Sequence, residues 1–110
     1  MNINEHMVFT RSTAIYPFSQ TGEIGEVMYL ALGLASEAGE VAGLVKKMFR
    51  DRATPNVRDL AQLELGDVFW YLNRLCDYFG LDPGLVLEAN RDKLNSRLSR
   101  GKLSGSGDNR

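Results

Sequence analysis

The sequence contains a single cysteine, Cys76, and a single histidine, His6. One cysteine excludes an internal disulfide and a thiolate zinc site. One histidine excludes a zinc site built from several imidazoles of the same chain, and a catalytic triad would have to use His6, which lies near the terminus with no obvious partner. Neither charge sign dominates: the formal net charge is −1, so there is no broad basic field to hold a nucleic-acid backbone and no nucleic-acid partner is expected. No uninterrupted apolar run reaches the roughly 18 residues that cross a bilayer, so no membrane partner is expected. Met1-Asn2-Ile3-Asn4-Glu5 has neither the basic start nor the apolar core of a signal peptide, which makes the cytoplasm the expected location. Chemistry is left to carboxylates, lysines, arginines and aromatics.

What is present is 110 residues, 44% of them hydrophobic, the size and composition of one soluble domain. A domain this short buries a modest core, and association would cover more apolar surface. Prolines stand only at 17, 55 and 83, and the stretches between them carry helical periodicity without two-residue alternation. Four helices are predicted: about Glu5 to Ile15, ending before Pro17; about Glu23 to Arg50; from the loop Asp51 to Asn56 through about Phe79, capped by Gly80; and from Asp82-Pro83 to about Arg100. The fold class is all-α, with one domain over residues 1–100. Residues 101–110, with three glycines and two serines, read as a mobile tail.

The helical stripes break their own rule at four places. At 100° per residue the second helix collects Leu30, Leu34, Val41, Leu44, Val45 and Met48 on one face, with Glu37 inside the stripe and Glu40 at its edge. On the third helix Leu60, Tyr71, Leu75 and Tyr78 share a face that contains Glu64 and Asp67. A hairpin turning near Ala53 sets Glu40 opposite Glu64 and Glu37 opposite Asp67, within about one helical turn, roughly 5 Å. Lone E-x-x-E spacing usually decorates a solvated helix. Two facing pairs on apolar stripes at matched heights point instead to a cation site, because converging carboxylates repel and lose hydration. An all-oxygen ligand set suits Mg²⁺, with Mn²⁺ as a substitute. A di-iron site wants Glu-x-x-His pairs, which His6 alone cannot supply.

Candidate phosphate ligands surround the tetrad: Lys46, Lys47 and Arg50 after the first pair, and Lys93 and Arg97 beside Asn90 on the fourth helix. For Lys46 and Arg50 a plain solvated face is an equal alternative. Tyr71, one turn beyond Asp67, is placed to touch a sugar or base, and Trp70 reads as core or subunit contact. Candidate pocket walls are Phe9, Ile15, Tyr16 and Tyr29. Gly33, Gly39, Gly43 and Gly66 are expected to permit close helix approach beside the acids.

Leu34-Ala35-Ser36-Glu37-Ala38-Gly39-Glu40-Val41, Lys46-Lys47, Glu64-Leu65-Gly66-Asp67-Val68 and the Asn90, Lys93-Leu94, Arg97 series resemble the MazG-like branch of the all-α NTP pyrophosphohydrolases. Phe9-Thr10-Arg11-Ser12-Thr13-Ala14 and Gly105-Ser106-Gly107-Asp108 are similar to a short, often phage-encoded subset. Ser36 stands where glycine is frequent in that family. The resemblance implies a four-helix bundle-like fold, a dimer or dimer-of-dimers tetramer, and Mg²⁺ held by Glu37, Glu40, Glu64 and Asp67. The implied reaction is hydrolysis of a (deoxy)nucleoside triphosphate to the monophosphate and pyrophosphate, with purine nucleotides favoured by the phage-like ends, and host cytoplasm as the setting. The expected mechanism is attack of a metal-activated water at the α–β junction, with Glu37 or Glu40 also able to orient the water. Two other readings stay open: a metal-dependent nucleotide sensor without turnover, and a helical scaffold with incidental acids.

Overall fold

Asn2 opens the first helix. Its side chain accepts from the Glu5 backbone N–H at 2.8 Å, while the Glu5 carboxylate accepts from the Asn2 N–H at 3.1 Å, a reciprocal cap that satisfies two otherwise orphaned donors. In a computed structural model, which describes residues 1–52 and 55–110, α1 therefore runs Ile3–Thr13, starting two residues before the expected Glu5. It is followed by α2 (Ile24–Asp51), α3 (Val57–Phe79) and α4 (Pro83–Ser99). The described residues contain no strand, and the chain is all-α. The turn expected near Ala53 lies outside the described residues.

The punctuation follows local chemistry. Gly80 adopts φ 66° and closes α3, a left-handed conformation that costs glycine nothing. Asp82 then accepts from the Leu85 N–H at 3.0 Å, and Pro83 takes the first position of α4, where a missing N–H does no harm.

The packing is α2 along α3, α1 across α3, and α4 against α1. The α1–α4 junction is a clasp: Asn4 Nδ2 donates to Asp82 at 3.0 Å, and the Gly84 N–H donates to Asn4 Oδ1 at 2.8 Å. Helix α4 rests on α1 rather than on the α2–α3 hairpin. The radius of gyration, 16.8 Å, exceeds the about 13 Å of a compact chain this long.

The apolar core is small. Ala14, Tyr16 and Leu30 are buried among the described residues, with Trp70, Tyr71, Leu75 and Tyr78 packed against them. Tyr16 stacks on Tyr29 at 5.0 Å between ring centroids and meets the Trp70 ring edge-on at 6.0 Å. Trp70 Nε1 donates to the exposed Thr13 Oγ1 at 2.8 Å, so its polar edge is satisfied where the ring leaves the core.

Beside this core lies a buried polar network. Glu26 accepts from the Tyr16 hydroxyl at 2.6 Å and from the backbone N–H groups of Gln20 and Gly22 at 2.6 and 3.0 Å. Burial pushes its carboxyl up, but these donors and the Arg74 guanidinium outweigh burial and hold it below the usual carboxylate range. Arg74, also buried, donates to Tyr16, Thr10 and Asp77, and Asp77 receives a second guanidinium from Arg11 at 2.9 Å. His6 does have a partner: its Nδ1 lies 2.7 Å from the buried Asn73 amide.

The tail turns back on α4. Arg97, buried on α4, donates to the carbonyls of Gly107 and Asp108 and to the Asp108 carboxylate, while Arg110 donates to the carbonyls of Lys102, Leu103 and Gly107. Glycine at 101, 105 and 107 supplies the positive φ values that let the chain turn back.

One further difference concerns α2. No uninterrupted apolar run is long enough to span a bilayer, yet the most apolar 18-residue stretch of α2 carries no more than two charged residues. By length and composition it meets the requirement.

Candidate metal centre

Helix α2 brings Glu37 against α3, whose Glu64 and Asp67 stand three residues apart and so share one face. One carboxylate oxygen from each of the three lies within 4.8 Å of the others. Glu37 and Glu64 are half-buried and Asp67 is exposed. The loss of hydration pushes the Glu37 carboxyl up, and the charges of Asp67, Glu64 and Glu40 add to it in that order.

Glu40 departs from the expected tetrad. It is exposed and outside the cluster of converging oxygens, though close enough to repel Glu37. Three helical residues advance 300°, so Glu40 is turned about 60° from Glu37 around the axis, towards solvent. The expected Glu40–Glu64 and Glu37–Asp67 pairs are replaced by one residue, Glu37, facing both acids of α3.

Tyr71 completes the α3 side. Burial first, then a hydrogen bond with Tyr29 and the charges of Tyr29, Glu37 and Asp67, raise its phenol to about 12. It is therefore a neutral hydrogen-bond donor throughout the physiological range, beside the acids. Its position depends on Gly33, where an added Cβ would fall within 3.0 Å of three Tyr71 ring carbons. Gly39, Gly43 and Gly66 have nothing within 4 Å of such a Cβ. Of the four glycines expected to permit close approach, only Gly33 does so among the described residues.

The other candidates disperse. Lys46 and Lys47 are exposed on α2, and Arg50 forms an ion pair with its neighbour Asp51 at 2.8 Å. Lys93 and Arg97 on α4 both pair with Asp108 at 3.3 Å, and Asn90 is exposed on the same helix. Since α4 packs on α1, this series is not carried to the acids by packing within the protomer. Tyr16 cannot line an open nucleoside pocket: it is buried, stacked, and bonded to Glu26. Phe9 is exposed on α1 with the His6 ring 6.0 Å away, and Ile15 is exposed.

Glu26 is a residue that sequence reasoning missed. It precedes Leu30 by four residues on the Glu37 side of α2, and the rule that flagged Glu37, an acid within an apolar stripe, applies to it as well.

No family model matches the chain, and no solved structure matches it. A curated protein does: the Gene 37 protein of Mycobacterium phage L5 is 40% identical over 114 aligned positions that span all of both chains. That degree of likeness over the full length makes the present protein a member of the same family as this phage protein.

Proposed function

We propose that the protein is a Mg²⁺-dependent nucleoside triphosphate pyrophosphohydrolase of the MazG-like type, working as a homo-oligomer in the host cytoplasm, with purine deoxynucleotides as its favoured substrates. The observation that carries this reading is the meeting of Glu37, Glu64 and Asp67 oxygens within 4.8 Å. Three carboxylates so close are costly without a cation, as the raised Glu37 carboxyl reports. The donor set is all oxygen, anionic and part-exposed, which fits Mg²⁺ or Mn²⁺ sharing its remaining positions with water and phosphate.

Glu37, Glu64 and Asp67 would hold the ion. When bound, it neutralises triphosphate charge and acidifies a coordinated water. The remaining work falls to the chain. Glu40, exposed and outside the cluster, is the carboxylate free to take a proton as water adds to the α-phosphorus. The bond from that phosphorus to the bridging oxygen breaks, and pyrophosphate leaves. Tyr71, protonated up to about 12, donates to the sugar or a phosphate oxygen. Lys46 and Lys47, one to two turns beyond Glu40, offer exposed positive charge to the leaving group.

The test is pyrophosphate release from a panel of deoxynucleoside triphosphates with and without Mg²⁺, repeated with Glu40→Gln and Asp67→Asn. Wild-type release only with Mg²⁺, and loss of it in both variants, is expected. Full turnover in either variant removes the acid site from the reaction, and tight Mg²⁺-dependent binding with the triphosphate left intact makes the protein a sensor.

A further inference from the structure

A cleft of about 410 Å³ opens where α1, the segment between α1 and α2, and the C-terminal half of α3 come together. It is lined by the buried Glu26 and Arg74, the half-buried Asp77 and Tyr78, and the exposed Arg11 and Gln20. The volume is that of a small-molecule site, but the lining is polar and charged. The nucleotide reading uses none of these residues.

The two guanidinium groups are only partly engaged. Arg74 donates through Nε to the Tyr16 hydroxyl at 3.3 Å, and through Nη1 to Thr10 Oγ1 at 3.4 Å and Asp77 Oδ2 at 2.7 Å. Its Nη2 has no acceptor among the described residues, although the side chain is only 2% exposed. A buried donor is nearly always matched, and the cleft that Arg74 lines is where an acceptor can enter. Arg11 donates through Nε and Nη2 to Asp77 at 2.9 Å, and its Nη1 likewise has no acceptor among the described residues. Arg11 Nε and Arg74 Nη1 share one oxygen, Asp77 Oδ2, which sets the two guanidinium groups side by side.

The carboxylates of the cleft are better provided for. Glu26 accepts from the Tyr16 hydroxyl and from two backbone N–H groups, and Asp77 accepts from both arginines. A cation would have to displace these donors, whereas an anion meets donors that are still free. The formal charges of Arg11, Arg74, Glu26 and Asp77 cancel, so recognition here depends on directed hydrogen bonds and not on a long-range field. A planar carboxylate matches a single guanidinium fork. A tetrahedral oxyanion has oxygens on several sides and can accept from two adjacent guanidinium groups together.

We propose that this cleft binds a phosphoryl oxyanion, either free phosphate or the end of a phosphomonoester, between Arg74 and Arg11. The inference goes beyond the nucleotide reading and is separate from the acid cluster: Arg74 follows Asp67 by seven residues, two turns or about 10 Å along α3. The test needs neither metal nor turnover, so its outcome is independent of whether the protein hydrolyses a triphosphate. The arginine Nε–H signals of the ¹⁵N-labelled full chain are followed by NMR in EDTA during titration with inorganic phosphate, and separately with deoxyguanosine monophosphate. Saturable shifts of the Arg74 and Arg11 signals are expected. Tighter binding of the monophosphate identifies a phosphomonoester as occupant, and equal affinities identify free phosphate.

Arg11→Gln is expected to weaken binding at least about tenfold. Because that change also breaks the pair with Asp77, Gln20→Glu provides a second variant. It leaves every ion pair in place, sets a competing carboxylate at the cleft, and is expected to abolish binding with helical circular dichroism retained. Absence of saturable shifts at Arg74 and Arg11, shifts confined to the exposed Arg50, Arg91 and Arg100, or wild-type affinity in both variants would each overturn the proposal.

Discussion

The ring of Tyr71 occupies the space that a side chain at Gly33 would need. Helices α2 and α3 meet at this point, and Tyr71 packs on the aromatic core while lying near enough to Glu37 and Asp67 to feel their charge. Gly33→Ala must push the ring out or part the helices, so a loss of about 1–3 kcal/mol is expected. Gly43→Ala, where the added methyl meets nothing within 4 Å, should gain up to about 1 kcal/mol from helix propensity. Urea unfolding of both variants checks the contrast. Equal effects would mean that the ring does not depend on the glycine.

The acid cluster makes a two-sided prediction. Glu37→Gln removes one of three converging charges, so the variant should melt a few degrees higher than wild type in metal-free buffer. Millimolar Mg²⁺ should raise the melting temperature of wild type, by ligand linkage, but not that of the variant. Pyrophosphate release should fall by at least about 100-fold. Thermal scans with and without Mg²⁺ read the first two outcomes independently of activity.

Acid stability should depend on Asp77. Its hydrogen bond from Arg11, with that from Arg74, holds its carboxyl at about 2 against burial, compared with about 3.9 in an unfolded chain. The folded pKa is the lower one, so the stabilisation is present in full above the unfolded value and is lost as pH falls from about 4 to about 2. It amounts to about 2 kcal/mol. Asp77→Asn should flatten the acid limb of a stability–pH curve measured by urea unfolding between pH 5 and pH 2. An unchanged slope would show that the pair does not persist in solution.

Glu26→Gln tests the buried anchor. An amide keeps one acceptor oxygen but turns an NH₂ either towards the Gly22 N–H or towards the Gln20 N–H and the Tyr16 hydroxyl, and removes the charge facing Arg74. A loss of about 3 kcal/mol is expected, with hydrogen exchange accelerated in residues 16–22. Wild-type stability in the variant would contradict the network described here.

The sequence made the helices legible because their ends are written in local chemistry: Asp82-Pro83 and Gly80 are read without any tertiary information. It also made Glu37, Glu64 and Asp67 legible, since an acid in an apolar stripe is visible at 100° per residue. Glu40 falls outside the converging oxygens because a 60° difference around the axis separates a converging side chain from a solvated one, and residue counting from a turn cannot resolve it. The α4 cations lie apart from the acids within the protomer for another reason. Periodicity reports which residues share a face but not which neighbour that face meets, and α4 is held by Asn4, a residue 80 positions from its hydrogen-bond partner Gly84. The same stripe rule that located the metal candidates would also have drawn attention to Glu26, where the acid is offset by hydrogen-bond donors and a nearby guanidinium. Pattern alone does not distinguish those two uses of a buried carboxylate.

Glu26 has a consequence for tracing descent. One carboxylate gathers a hydroxyl six residues before Gly22 and two amides of the intervening segment, so the stretch from Tyr16 to Glu26 works as a ruler whose length cannot change by one residue without losing a donor. Although it is irregular and largely solvent-facing, this stretch should therefore be free of insertions and deletions across relatives. A tyrosine ten positions ahead of a glutamate is then a fixed mark by which divergent phage homologues can be found and aligned when their helices no longer resemble one another.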